Sequence, residues 1–188
     1  MPVRIGAPRE SSYEQPFKLL SDCHRRVEMF LGVLGQLART EQSPLDQSSC
    51  DSLRRALDYF RDAAPRHTAD EEESVFPRLQ AIDGPEAAEA RRIISQLESD
   101  HEEAAPRHEA IETIGRRWLV EGRLSPADRS QFKEHVEELE RMYRRHIELE
   151  DSSLFPIAER LLAGNPAAEI GREMAIRRGI SVGSTTSS

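Results

Sequence analysis

Two segments of the chain place a histidine four residues before a glutamate, and a Phe-Pro pair follows that glutamate. The first segment runs from His67 to Pro77 and the second from His146 to Pro156, and the two align without gaps. Residues four apart lie on one face of a helix, about 6 Å apart along its axis. Each segment therefore offers one imidazole and one carboxylate to the same region. Nitrogen and oxygen donors without thiolate favour iron, then manganese or zinc.

Two further histidines occur in segments that also resemble each other. Leu20-Ser-Asp-Cys-His24 is similar to Leu97-Glu-Ser-Asp-His101. The chain is thus predicted to be a duplicated helical hairpin, in which each copy contributes one lone histidine and one His-x3-Glu pair. Such pseudo-symmetry is what a site for two metal ions requires.

The elements that position these residues are predicted to be helices. Gly and Pro cluster in a few places, and the stretches between them repeat apolar residues at helical spacing, without period-two alternation. The expected helices run from about Pro16 to Thr40, Ser49 to Ala81, Glu86 to Val120 and Ser125 to Leu162, and Asn165-Pro166 caps a short fifth helix that ends near Arg177-Arg178. Pro65 and Pro106 are expected to kink two of the long helices.

Four long amphipathic helices joined by short turns predict an all-α, up-down-up-down four-helix bundle with a short C-terminal helix. The expected domain is a metal-binding bundle over residues 14–162, followed by the short helix within 163–180 and a disordered tail over 181–188.

The bundle topology predicts that the four histidines share one layer. In an antiparallel helix pair, two residues lie at the same height when their midpoint falls in the connecting turn. The midpoints of His24 and His67, His67 and His101, and His101 and His146 all fall in predicted turns. A single buried histidine is usually satisfied by a hydrogen bond, but four histidines and two inward carboxylates in one region favour two metal ions bridged by the glutamates.

The order of these residues resembles the hemerythrin-like, or HHE cation-binding, domain family. The resemblance covers about residues 14–162 and rests on the two His-x3-Glu pairs, each with its Phe-Pro, and on the two lone histidines. It implies a four-helix bundle that holds an oxo- or hydroxo-bridged pair of iron ions, with manganese or zinc as other possible metals. It also implies bridging by two glutamates and terminal ligation by four histidines: Glu71, Glu150, His24, His67, His101 and His146.

The sequence departs from the oxygen carriers of this family at one ligand. The carriers have a second histidine on the third helix, four residues from the first, but Leu97 and Ala105 stand at those distances from His101. His108 is seven residues away, about 10 Å along the axis. Glu28 is the nearest candidate for a further ligand, although pairing with a neighbouring arginine is the expected state. Asp151 is the alternative to Glu150, which we prefer because it matches Glu71 in the repeat.

Other singled-out residues have expected structural roles. His108 and His135 are expected to form hydrogen bonds nearer the turn between helices three and four, and Tyr143 is expected to pack with its hydroxyl satisfied. Within the acidic run 70–73, all members except Glu71 are expected to be solvated. Cys23 and Cys50 are expected to remain thiols.

Charge and composition limit the partners. The chain has 34 acidic and 26 basic residues, a formal net charge of -8, and no apolar run that resembles a signal peptide or a membrane span. We therefore expect no nucleic-acid or membrane partner and a cytoplasmic location, and the sequence sets no oligomeric state.

The expected function is a di-iron protein that binds or reacts with dioxygen, nitric oxide or peroxide for sensing, storage or detoxification. The alternatives are an oxidase- or peroxidase-type enzyme and an iron-dependent regulatory module.

Overall fold

The computed structural model describes residues 12–40 and 44–180, and this part of the chain contains helices and turns but no strands. The helices are α1 (Pro16–Arg39), α2 (Gln47–Asp62), α3 (Ala64–Asp70), α4 (Phe76–Gln80), α5 (Pro85–Glu121), α6 (Pro126–Leu149), α7 (Phe155–Leu161) and α8 (Asn165–Arg177). A first π-helical segment (Glu71–Val75) joins α3 to α4, and a second (Glu150–Leu154) joins α6 to α7. The predicted disordered tail, 181–188, lies outside the described residues.

These elements form four long rods and one short helix. The first rod is α1, the second runs from α2 through the first π segment to α4, the third is α5, and the fourth runs from α6 through the second π segment to α7. The first and third rods each pack against both α2 and α6, and consecutive rods are joined by short connections. The predicted all-α four-helix bundle is confirmed, and no described helix is long and apolar enough to cross a membrane.

The starts of the helices follow local sequence signals. Ser125 caps α6 by accepting a hydrogen bond from the backbone N–H of Asp128, with Pro126 at the first helical position, as predicted. Asp46 caps α2 in the same way through Ser49. The predicted cap of the fifth helix is wrong by one residue, because Gly164 occupies the cap position and the side-chain amide of Asn165 instead donates to Glu169.

The second and fourth rods are not uniform α-helices. The second rod is interrupted at Ala63, two residues before Pro65, whose ring disfavours a continuous helix. Each π segment then begins at a glutamate and precedes a Phe-Pro pair. The backbone N–H of Phe76 bonds to the carbonyl of Glu71, and that of Phe155 bonds to Glu150, five residues earlier in each case. The proline that follows has no N–H to donate, so the wider turn forms where the α ladder already loses a donor.

The core consists of two apolar clusters with a polar layer between them. One cluster includes Leu34, Leu53, Trp118 and Phe132. The other includes Phe17, Leu20, Phe76, Ile94, Phe155 and Met174, the last of which belongs to α8. The polar layer contains four histidines and two glutamates, of which both glutamates are fully buried. Buried carboxylates are costly unless they are paired or coordinate a metal, so this layer requires a specific explanation.

Candidate metal centre

The polar layer contains two groups of metal-ligating side chains that share both glutamates. In each group, one potential ligand atom from every member lies within 4.8 Å of those from the others. The first group is His24, His67, Glu71 and Glu150, and the second is His101, His146, Glu71 and Glu150. The structure thus brings together all six residues that the sequence and the family resemblance singled out.

The two carboxylates lie between the two histidine pairs. Glu150 places Oε2 3.0 Å from Nε2 of His24 and 3.3 Å from Nε2 of His146. Glu71 places Oε1 3.2 Å from Nε2 of His67 and Oε2 3.7 Å from Nε2 of His101. Each glutamate therefore contacts one histidine from each group. Two carboxylates that bridge two ions would need this arrangement.

The buried ligand atoms have contacts but not hydrogen-bond geometry. Within residues 12–40 and 44–180, both carboxylate oxygens of Glu71, both of Glu150 and Nε2 of His24 are buried without a hydrogen-bond partner. An ionised carboxylate that accepts no hydrogen bond is strongly disfavoured in a protein interior. A cation can satisfy convergent lone pairs that lack hydrogen-bond donors. This set of nitrogen and oxygen ligands therefore fits a bound metal.

Three of the four histidines are held by a carboxylate on the side away from the cluster. His24 donates from Nδ1 to Asp151 at 3.0 Å, His101 donates to Glu72 at 2.8 Å, and His146 donates to Asp100 at 3.3 Å. Because Nδ1 is the donor in these contacts, Nε2 faces the cluster and offers its lone pair when the ring is neutral, as metal binding requires. Such outer carboxylates fix the ring orientation and increase the basicity of a metal-binding imidazole.

The outer contacts follow the internal repeat. Glu72 and Asp151 each come directly after a glutamate that both groups share, and each contacts the lone histidine of the other copy. Sequence reasoning missed both roles, although the repeat itself contained the signal, because an acidic residue stands at the same position in both copies.

The fourth histidine departs from this symmetry. Nδ1 of His67 is buried and has no hydrogen-bond partner among the described residues. His146, its counterpart in the repeat, is bound by Asp100, which directly precedes His101. The residue that directly precedes His24 is instead Cys23, a free thiol. The two halves therefore offer similar inner ligands but different outer support.

The electrostatics of the protein groups show how strongly the layer depends on positive charge. Burial and the charge of Glu150 raise the pKa of Glu71 well above its usual range. Burial also disfavours ionised Glu150, but His146 and His24 hold its pKa below the usual range. Burial and the charge of His24 lower the pKa of His67 to about 3. Both carboxylates can ionise together at neutral pH only when positive charge lies beside them, which a bound cation supplies.

The alternative ligands considered from the sequence lie outside both groups. Asp151 accepts hydrogen bonds from His24 and from the hydroxyl of Ser21, and Glu28 is exposed. His108 lies beside the hydroxyl of Tyr143, with its Nε2 3.0 Å from that oxygen, as expected for a histidine satisfied by a hydrogen bond. His135 is half-buried and also lies outside the groups.

The expectation that Asp70 is solvated is wrong. Asp70 is fully buried beside the first π segment, where Arg177 and Arg178 at the end of α8 contact its two oxygens at 2.9 and 2.6 Å. Arg177 also donates to the hydroxyl of Ser74 within that segment. The C-terminal helix is thereby attached to the segment that begins with Glu71.

This attachment should contribute measurably to stability. Asp70→Asn would remove the buried charge that Arg177 and Arg178 both contact, and only Arg177 would keep a second carboxylate, that of Glu73. We therefore expect the free energy of unfolding to fall by about 3 kcal/mol. Glu73→Gln is the matched control, because Glu73 pairs with the same Arg177 at an exposed position and should cost no more than about 1 kcal/mol. Urea denaturation of both variants tests this, and equal losses would contradict it.

Comparisons with known proteins agree with the geometry. The model of the family described as Hemerythrin HHE cation binding domain matches residues 15–158, a range that includes all six clustered residues. An uncharacterized protein of Haemophilus influenzae is 28% identical over 178 residues, which cover 94% of this chain and 98% of the relative.

Proposed function

The chain belongs to the hemerythrin HHE cation-binding domain family, and from this premise we propose that it is a cytoplasmic di-iron protein that binds or reacts with dioxygen or a related small oxidant. The observation that supports this most directly is the pair of two-histidine groups that share Glu71 and Glu150. Each group offers two imidazoles and two carboxylates, a mixed nitrogen and oxygen set that suits iron.

In this proposal the protein holds each ion with four of its own side chains. His24 and His67 would hold one ion and His101 and His146 the other, and both glutamates would contribute to each. Two adjacent irons supply redox chemistry toward small oxidants, including dioxygen, nitric oxide and peroxide. Each group offers four protein ligand atoms, fewer than iron accepts, so a bound iron would have room for an exogenous molecule.

The surrounding residues keep the site in a defined state. Asp151, Glu72 and Asp100 hold three imidazoles with Nε2 directed inward. Phe155 stacks on His24 with ring centroids 5.5 Å apart and covers that side of the layer. A dry, rigid surrounding strengthens the electrostatic interactions at the metal and limits solvent access.

Elemental analysis of protein purified without added metal tests this function. We expect close to two ions per chain, mainly iron, and near-ultraviolet charge-transfer absorption that changes when the reduced protein meets dioxygen. Glu150→Ala removes a ligand that both groups share and should lose the absorption and most of the iron. The matched control is Glu148→Ala, at an exposed position, which should retain both. One zinc per chain with no iron in the unaltered protein would overturn the proposal.

A further inference from the structure

A cavity of 380 Å³ opens beside the second histidine pair and is not part of either ligand group. Its wall includes His101, the most exposed of the six clustered residues, whose side chain is 11% exposed. The glutamates are fully buried, and His24 is 2% exposed beneath the ring of Phe155. The cavity therefore reaches the polar layer at His101, which is the one clustered residue in its wall.

Small residues account for this cavity. Ala64, Ala69, Ala104 and Ala105 contribute much of its apolar wall. Ala64 stands three residues before His67, and its counterpart three residues before His146 is Tyr143. The repeat thus has a methyl group in one copy where the other has a phenol ring, and the missing volume lies on the side of the bundle that faces His101.

The cavity wall defines the chemistry of its occupant. A volume above about 300 Å³ is typical of sites for small organic molecules and far exceeds what a diatomic molecule requires. Most of the wall is apolar, and the half-buried pair of His108 and Tyr143 supplies a polar contact within it. Nδ1 of His108 is buried and has no hydrogen-bond partner among the described residues.

Charge at the wall argues against ionic occupants. The charged side chains that line the cavity are Glu72 and Glu73, which disfavour an anion. Both carboxylates already have partners, because Glu72 accepts a hydrogen bond from His101 and Glu73 pairs with Arg177. A neutral molecule with an apolar body and one hydrogen-bonding group matches what remains.

We propose that this cavity is a binding site for a small neutral organic molecule, such as a phenol or a small alcohol, which is held beside the His101 and His146 pair. Its position next to a metal rests on the proposed function, but the binding itself depends on the cavity alone. A molecule bound in this cavity would lie against His101, a member of the second ligand group.

The test uses 4-fluorophenol as the probe and its fluorine NMR signal as the readout, with both metal-loaded and metal-free protein. We expect saturable binding in both forms, with additional line broadening when the bound metal is paramagnetic. Ala105→Trp fills the cavity from an exposed position and should weaken binding by about tenfold or more. Ala88→Trp is the matched control, because it makes the same change at an exposed position of α5 remote from the cavity.

The outcomes separate this inference from the proposed function. Binding that Ala105→Trp removes and Ala88→Trp preserves supports the site, whether or not the protein contains iron. Equal binding by Ala105→Trp and the unaltered protein, or no saturable binding at all, overturns it even if two irons are present. Tyr143→Phe should weaken binding moderately, since it removes a hydroxyl of the cavity wall, and should lower the melting temperature slightly, because Nε2 of His108 loses its partner.

Discussion

Removing the metal should lower the melting temperature of this protein by roughly 10 °C or more. A ligand that binds the folded state alone stabilises it by about 4 kcal/mol when its free concentration is about 1,000 times its dissociation constant. For a domain of 150–250 residues, each kcal/mol corresponds to about 2–4 °C. The structure adds a local reason, because Glu71 and Glu150 are fully buried without hydrogen-bond donors among the described residues and repel each other unless positive charge lies between them.

Calorimetry or circular dichroism of chelator-treated and reloaded protein measures this effect. Reloading with iron should restore the original melting temperature. His108→Ala is the first control, and it should respond to the chelator as the unaltered protein does, since His108 lies outside both ligand groups. Glu71→Ala is the second control, and the chelator should change its melting temperature little because the metal content of this variant is already low. Coincident melting of treated and untreated protein would show that bound metal does not stabilise the fold.

The positions of the six clustered residues were predictable because two features define them, the helical spacing within each His-x3-Glu pair and the short turns between helices. The spacing of four puts His67 and Glu71 on one helical face, and the same holds for His146 and Glu150. Short turns between antiparallel helices then fix relative heights, so that the lone histidines arrive in the same layer. Ring centroids 4.9 Å apart for His24 and His67 are the result.

The two π segments were not predictable from that reasoning. An i to i−5 hydrogen bond at Glu71 or Glu150 depends on how the backbone adapts to Pro77 or Pro156, and the α-helical periodicity alone gives no signal for it. Each wide turn begins at a glutamate that both ligand groups share. The Phe-Pro that follows each His-x3-Glu pair is visible in the sequence, but the wide turn that precedes it is visible only in the backbone.

The docking of α8 was also beyond the sequence pattern. Asp70 and Arg178 are separated by 108 positions, and nothing local marks one as the partner of the other. Asp70 has an apolar counterpart in the second copy, Leu149, so the repeat gave no guidance. A short helix outside the duplicated hairpins can dock against either copy, and buried pairing with Asp70 selects the first.

Substitution of the six clustered residues should separate ligands from nearby histidines in metal content. Alanine at any of the four histidines removes a terminal ligand, and alanine at either glutamate removes a shared one. Each variant should therefore retain one ion or fewer. The substituted positions are His24, His67, His101, His146, Glu71 and Glu150. His108→Ala and His135→Ala should keep both ions and lose only about 1–3 kcal/mol of stability.

His101→Ala is the decisive member of this series. No second histidine on α5 can replace it, because His108 is seven residues further along and directs Nε2 to Tyr143 at 3.0 Å. Glu72→Gln provides a matched comparison at the outer contact of His101, and it should weaken metal binding while leaving the ligand in place. Elemental analysis and melting of each variant provide the two readouts. Nε2 of His101 lies 3.2 Å from Nε2 of His146, so the second group loses one of its two imidazoles in His101→Ala. Two ions per chain in a folded His101→Ala variant would therefore exclude a metal pair held by the two groups.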